Sequence, residues 1–164
     1  MRTVETRRVM RHGAVAMFDL VADVERYPQF VPLCASLKVR ERRTEGRAEV
    51  LIADMTAAYK MFHETFRSRV RLDREALAIH VDYLDGPFRH LENRWTFKAL
   101  GEGRCEVDFF IRYEFRALPL QLLVGAVFDK VYGRMVEAFE LRADKIYGRQ
   151  PGEVARGMPA AQKT

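Results

Sequence analysis

Near the end of the chain the apolar positions recur at intervals of three and four. Leu120, Val124, Val127, Phe128, Val131, Met135, Ala138 and Phe139 follow this spacing. At 3.6 residues per turn it gathers them on one stripe of a helix. Asp129, Glu137, Glu140 and Asp144 fall on the other side. Pro119 opens the stretch and Gly148 closes it, the usual placement of proline in the first turn and glycine past the last. The pattern predicts one long helix over residues 119–147. Its stripe needs a long apolar partner.

Upstream the period changes to two. Residues 3–10 alternate weakly and predict a first strand. After Gly13, the helix-spaced Ala14, Met17, Phe18, Val21 and Ala22 predict a short amphipathic helix. Pro28 ends it, because the residue before a proline is pushed out of the helical region. Tyr27 to Pro32 reads as a compact aromatic turn framed by two prolines. Further strands are predicted at 37–43, 48–57, 62–72, 76–84, 88–100 and 105–115. The stretch 62–72 shows the cleanest alternation: Phe62, Phe66, Val70 and Leu72 face one way, and His63, Thr65, Arg67, Arg69 and Arg71 the other. Thr44-Glu45-Gly46, Asp85-Gly86-Pro87 and Gly101-Glu102-Gly103 supply turns. Alternating strands joined by short turns imply an antiparallel sheet with one covered face. The expected architecture is α+β, about seven strands wrapped round the C-terminal helix, in one domain over 1–148. Residues 149–164, rich in Pro, Gly, Ala and polar groups without periodicity, read as a disordered tail.

Composition narrows this only a little. The 164 residues are 48% apolar and 31% charged, as in soluble globular proteins. A net charge of +5 and a pI near 9.4 are compatible with an acidic partner such as RNA or an anionic membrane surface, and equally with ordinary solubility. Two cysteines, Cys34 and Cys105, make no disulfide framework and read as reduced thiols. No stretch approaches the roughly 20 apolar residues of a membrane span. Asp19, Asp23 and Glu25 interrupt the first apolar run, which argues against a secretory signal. Glu5 and the scarcity of serine argue against a transit peptide.

Three separated blocks carry a more specific signal. The segment from Phe18 to Cys34, FDLVADVERYPQFVPLC, resembles the signature of the coenzyme Q-binding branch of the START-like superfamily. Gly86-Pro87-Phe88 with Leu91 and Trp95 matches as well, and so does Arg134-Met135-Val136-Glu137-Ala138-Phe139-Glu140. The wider superfamily is often called polyketide cyclase/dehydrase-like. The resemblance implies a helix-grip fold, with a curved antiparallel sheet gripping the last helix, two short helices after the first strand, and an internal hydrophobic tunnel. It implies binding of ubiquinone or another polyprenyl lipid, and a carrier or chaperone role in respiratory electron transfer without turnover. No cofactor beyond that bound ligand is implied. Relatives in the branch include a ribosome-association toxin, so the alternative is a protein that binds the large ribosomal subunit and inhibits translation. A small-molecule cyclase is a third reading. The expected setting is a bacterial cytoplasm or the face of the inner membrane, as a peripheral protein.

Four features bear on these readings. Phe66, Val70, Leu91, Trp95, Phe109, Ile111, Phe128 and Val131 are expected to point between sheet and helix, where they either fill a core or line a tunnel. Phe30, Val31, Leu120 and Val124 complete the expected ligand-binding set. Leu118, Leu120, Leu122 and Leu123 make the start of the last helix apolar nearly all round. With the Tyr27–Pro32 and Asp85–Phe88 stretches they form either a tunnel mouth that meets lipid, aided by Arg89 and Arg116, or an ordinary packing or dimer contact. Lys38, Arg40 and Arg42 on one strand and Arg67, Arg69 and Arg71 on another form either a phosphate-binding face or a solvated surface. Glu41, Glu45, Glu49 and Glu64 are available to offset them. Last, catalysis needs an acid and a base within hydrogen-bond reach. The expected inner polar groups are few: Glu64, Ser68, Asn93, Tyr83 and Tyr113. His12 is placed in a turn, and His63, His80 and His90 on outer faces. No metal-ligand spacing, nucleophile triad or phosphate-cradling loop is present.

Overall fold

The computed structural model describes residues 1–148. The expectation of a disordered tail at 149–164 lies outside the described residues. The elements run β1 (Arg2–Met10), α1 (Ala14–Ala22), a 3-10 helix (Val24–Gln29), β2 (Cys34–Glu45), β3 (Ala48–Tyr59), β4 (Phe62–Asp73), β5 (Ala78–Asp85), β6 (Phe88–Ala99), β7 (Cys105–Phe115), α2 (Leu118–Gly133) and α3 (Met135–Tyr147). All seven strands join one antiparallel sheet in the order β1-β7-β6-β5-β4-β3-β2. Neighbours in sequence pair as hairpins, except that β1 closes on β7 and leaves β2 at the far edge. The helices lie on one face of the sheet, which is the expected helix-grip arrangement.

Residues facing the helices alternate along each strand. In β7 these are Cys105, Val107, Phe109, Ile111, Tyr113 and Phe115, all buried. A β-bulge between Phe88 and His90 puts both Phe88 and Leu91 on this inner side of β6. The turn before it needs glycine. Gly86 has φ of +140°, and a Cβ there would stand 2.6 Å from Phe66 Cβ.

The predicted single C-terminal helix is two helices. Arg134, at φ −109° and ψ 10°, leaves the helical region, and its N–H turns back to Val131 O at 3.1 Å. The apolar spacing of three and four persists across this break, so the periodicity alone could not reveal it. The break separates two packing tasks. α2 packs against β1 and β7, whereas α3 reaches α1 and β1. Tyr113 of β7 pins α2: its hydroxyl donates to Asp129 Oδ1 at 2.7 Å and to Gly125 O at 3.2 Å, and Arg2 pairs with the same Asp129. α3 is pinned by Phe139, which is fully buried. Its ring meets Phe30 at 4.9 Å, Trp95 at 5.0 Å and Tyr27 at 5.3 Å between centroids, all edge-on.

His12 does sit in the turn after β1, as expected, but its ring is buried. Nε2 lies 2.7 Å from Asp144 Oδ1 of α3, and the ring leans on Tyr147. Phe139→Ala should cost about 3–5 kcal/mol, measured by denaturant unfolding, because it removes a fully buried ring on which α3, the 3-10 helix and β6 meet. Tyr113→Phe should cost less, about 1–2 kcal/mol, by leaving the Asp129 end of α2 without its hydroxyl donor.

Candidate functional site

Between the sheet and the helices the core does not close completely. An internal cavity of about 130 Å³ remains. β3 contributes Ala53, Met55 and Ala57 to its wall, and β4 contributes Phe66, Ser68 and Val70. β5 and β6 add Ile79, Val81, Leu91, Asn93 and Trp95, and β7 adds Phe109 and Ile111. From the helical side come Val24 and Tyr27, then Phe128, Val131 and Tyr132 of α2, and Met135 and Phe139 of α3. Val31, Pro32, Leu33, Cys34 and Leu37 close the remaining edge. Pro32 is exposed, so the cavity comes to the surface beside it. Leu33 stands there in the left-handed region, at φ of 68°.

The structure gathers nine of the twelve expected residues on this wall: Val31, Phe66, Val70, Leu91, Trp95, Phe109, Ile111, Phe128 and Val131. It places three elsewhere. Phe30 is turned onto Phe139 and capped by the Arg142 guanidinium, 4.9 Å from its ring. Val124 is buried against the sheet, and Leu120 is half-buried at the start of α2. Neither α2 residue lines the cavity, because only the second half of α2 passes over it. Of the three stretches expected at the mouth, only Tyr27–Pro32 borders the cavity. The Asp85–Phe88 turn meets the start of α2, with Arg116 N donating to Pro87 O at 2.8 Å. Tyr27 to Phe30 lies against α3 instead, where Arg142 donates to Gln29 Oε1 at 2.6 Å.

Sequence reasoning missed Met55, Ile79, Val81, Tyr132 and Met135 as wall residues. Ile79 and Val81 fall within the strand predicted at 76–84, and Met135 belongs to the helical stripe. Nothing in the pattern separates a wall residue from one that packs solidly.

Few polar groups reach the wall, and most are already bonded within the protein. Asn93 Nδ2 donates to Phe110 O at 2.9 Å, and Trp95 Nε1 donates to Asn93 Oδ1 at 3.0 Å. Tyr27 donates its hydroxyl to Val21 O at 2.6 Å. Burial pushes the Tyr27 and Tyr132 hydroxyls above the ordinary phenol range, and pushes the Cys34 thiol up to about 11. Of the other inner polar groups foreseen, Glu64 is half-buried off the cavity. Tyr83 accepts the Phe88 N–H at 3.0 Å, and Tyr113 is spent on α2. Among the described residues no carboxylate or imidazole lines the cavity, and no group of His, Cys, Asp and Glu is placed to hold a metal ion.

The outer face of the sheet departs from the expected arginine rows. A bulge between Val39 and Glu41 shifts the register of β2. Arg40 stays outside, whereas Arg42 turns to the helical side and binds Glu25 at 2.7 Å and Glu49 at 3.3 Å. Outside, Asp54 of β3 sits between Arg67 at 2.8 Å and Arg40 at 2.9 Å. Their hydrogen bonds, Arg67 first, hold its carboxyl down to about 2. Arg43 pairs with Glu41 and Glu45. Among the described residues Lys38 and Arg69 have no acidic partner, so the surface is a largely compensated charge lattice.

A curved sheet closed over paired helices around one apolar cavity defines the helix-grip, START-like class. The pattern of one family, described as polyketide cyclase / dehydrase and lipid transport, matches residues 11–140. The chain belongs to that family. It is 32% identical over 148 residues to the ribosome association toxin RatA of Vibrio cholerae, covering 90% of this chain and 99% of that one. It is 33% identical over 150 residues to the mitochondrial coenzyme Q-binding protein COQ10 homolog B of Xenopus laevis, spanning 87% of this chain but 58% of that one. The solution structure of an 18 kDa protein from Caulobacter crescentus matches with a TM-score of 0.74 at 30% identity, over 90% of this chain and 99% of that one. The Zhui aromatase/cyclase of Streptomyces matches at 0.63 and 21% identity, over 90% and 88%, and shares the fold alone.

The Cys34 thiol gives a probe of the wall. With its acid constant near 11, almost no thiolate exists at pH 8. Alkylation by iodoacetamide there should run roughly a hundredfold slower than for a free cysteine, and rise with pH toward 11. Rate measurement by mass spectrometry against a Cys105→Ser background checks this.

Proposed function

We propose that this protein binds an isoprenoid quinone, ubiquinone being the expected ligand, in the internal cavity and carries it without chemical turnover. The observation that carries the reading is an apolar wall with few unspent polar groups. Burial of a prenyl chain is worth about 0.8 kcal/mol per CH₂, and such a wall collects that gain without desolvating polar atoms. The size of the cavity adds a requirement. At about 130 Å³ it is near the volume that accepts one benzene-sized ring. A polyprenyl tail needs more, so the wall must open on binding. Met55 and Met135, unbranched and with several rotatable bonds, are suited to yield. The absence of a converging acid and base from the wall among the described residues supports a binding role over a cyclase.

The test is mass spectrometry of organic extracts from protein purified from its native host, followed by uptake of added quinone. Near-stoichiometric ubiquinone is expected in the wild type. Val70→Lys or Phe109→Lys should abolish it by placing a charge in the wall. A buried lysine also threatens the fold, so Ala53→Leu, which fills the cavity without charging it, is the companion variant. A wild type that neither retains nor takes up quinone would sink the reading.

A second reading, association with ribosomes, is supported by the similarity to ribosome association toxins over nearly their whole length. On this chain it would rest on the outer sheet face around Lys38 and Arg69. Ribosome co-sedimentation that falls steeply with salt, and further in Lys38→Glu/Arg69→Glu, is its expected signature. Sedimentation unaffected by either would remove the face from consideration.

A further inference from the structure

The first two turns of α2 are apolar on the side that faces away from the protein. Leu118, Leu122 and Leu123 are 67%, 77% and 65% exposed. They sit with Pro119 and Ala126 on one outward face, while Val124, Gly125 and Phe128 take the buried side. From Ala117 to Phe128 the only polar side chain is Gln121. The β3–β4 hairpin ends near the same place, because Phe62 packs on Phe115 and Phe128. Its tip carries Met61, which is 96% exposed. Two elements therefore present large apolar side chains to water at one end of the sheet, where a monomer ordinarily shows polar residues.

Cations border this end. Lys60 stands beside Met61 on the hairpin. Arg116 immediately precedes α2, and Arg89 follows the β5–β6 turn. Both guanidiniums are anchored on backbone: Arg89 Nη2 donates to Arg116 O at 3.3 Å, and Arg116 Nη2 to Phe88 O at 3.4 Å. Lys130 is exposed further along α2. The acids at this end include Glu114, 3.9 Å from Arg89, and Asp129, which is engaged by Arg2 and Tyr113, with Glu64 on β4 and Asp85 before the β5–β6 turn.

We propose that this end of the molecule docks on an anionic phospholipid bilayer, with Leu118, Leu122, Leu123 and Met61 entering the interface and Lys60, Arg89 and Arg116 meeting the phosphates. Among the described residues no helix is long and apolar enough to cross a membrane, so the contact is peripheral. Such a bilayer supplies both halves of what the surface offers, hydrocarbon for the leucines and negative charge for the collar. A second copy of this chain supplies only the first, since it would bring the same cations face to face. The patch and the cavity share the elements that carry them. α2 gives Phe128 and Val131 to its wall, and the hairpin strands give Ala57 and Phe66. Docking thus rests on and deepens the carrier reading: the elements that insert are two of those that wall the cavity.

The full chain would be sedimented with vesicles of phosphatidylcholine, with and without phosphatidylglycerol. Binding to the anionic vesicles is expected, weaker by about tenfold on neutral ones and falling with salt. Leu122→Asp/Leu123→Asp should weaken it by at least about tenfold while keeping the wild-type unfolding midpoint, since both side chains are exposed. Lys60→Glu/Arg89→Glu should remove the preference for anionic lipid. A wild type that ignores anionic vesicles, or a leucine variant that binds as tightly as wild type, overturns the proposal. So does a wild-type dimer by light scattering that the leucine variant makes monomeric without any vesicle binding. Quinone uptake measured in detergent separates the two readings. Vesicle binding without uptake upholds docking and sinks the carrier role alone.

Discussion

The structure depends on the fully buried ring of Phe139. It is the point at which α3, the 3-10 helix and β6 touch one another, through Trp95 on the sheet side and Tyr27 and Phe30 on the other. Edge-on aromatic contacts are directional as well as apolar, so they fix the angle of approach of each element. The cavity lies directly beside this cluster and shares Phe139, Trp95 and Tyr27 with it. A rigid cluster on one side and unbranched methionines on another give a wall that is firm in one part and adaptable in another.

The chemistry of the wall is defined by what its polar groups already do. Trp95, Asn93 and Tyr27 each spend a donor on the protein, and burial keeps Cys34 a neutral thiol. Membership of a family that includes both cyclases and lipid-transport proteins does not choose between them, since one fold hosts many chemistries. Among the described residues the wall carries no carboxylate or imidazole, which is the feature the proposed binding role builds on. The outer face is likewise defined by pairing. Asp54, held between Arg40 and Arg67, turns what looked like a basic row into a compensated lattice.

What was legible in the chain, and what was not, follows from the range of the interactions. Side-chain alternation along 62–72 foretold which face of β4 is covered, and the proline and glycine positions foretold most turns. These are consequences of local backbone geometry, with periods of 2 and 3.6. The placement of nine expected residues on one wall came from the same alternation plus a resemblance carried by three sequence blocks. Phe30, Leu120 and Val124 lie off the cavity wall because a period identifies the covered face of an element but not what covers it.

The sequence by itself therefore determined the α+β class, the antiparallel sheet and the apolar inner face, because each is written in the spacing of neighbouring residues. Only the tertiary structure decided the break at Arg134, the bulge that turns Arg42 inward to Glu25, the burial of His12 against Asp144, and the presence and size of the cavity. Each of these depends on side chains far apart in sequence meeting in space. A void is the sharpest case, since it is the volume left after all of them have packed.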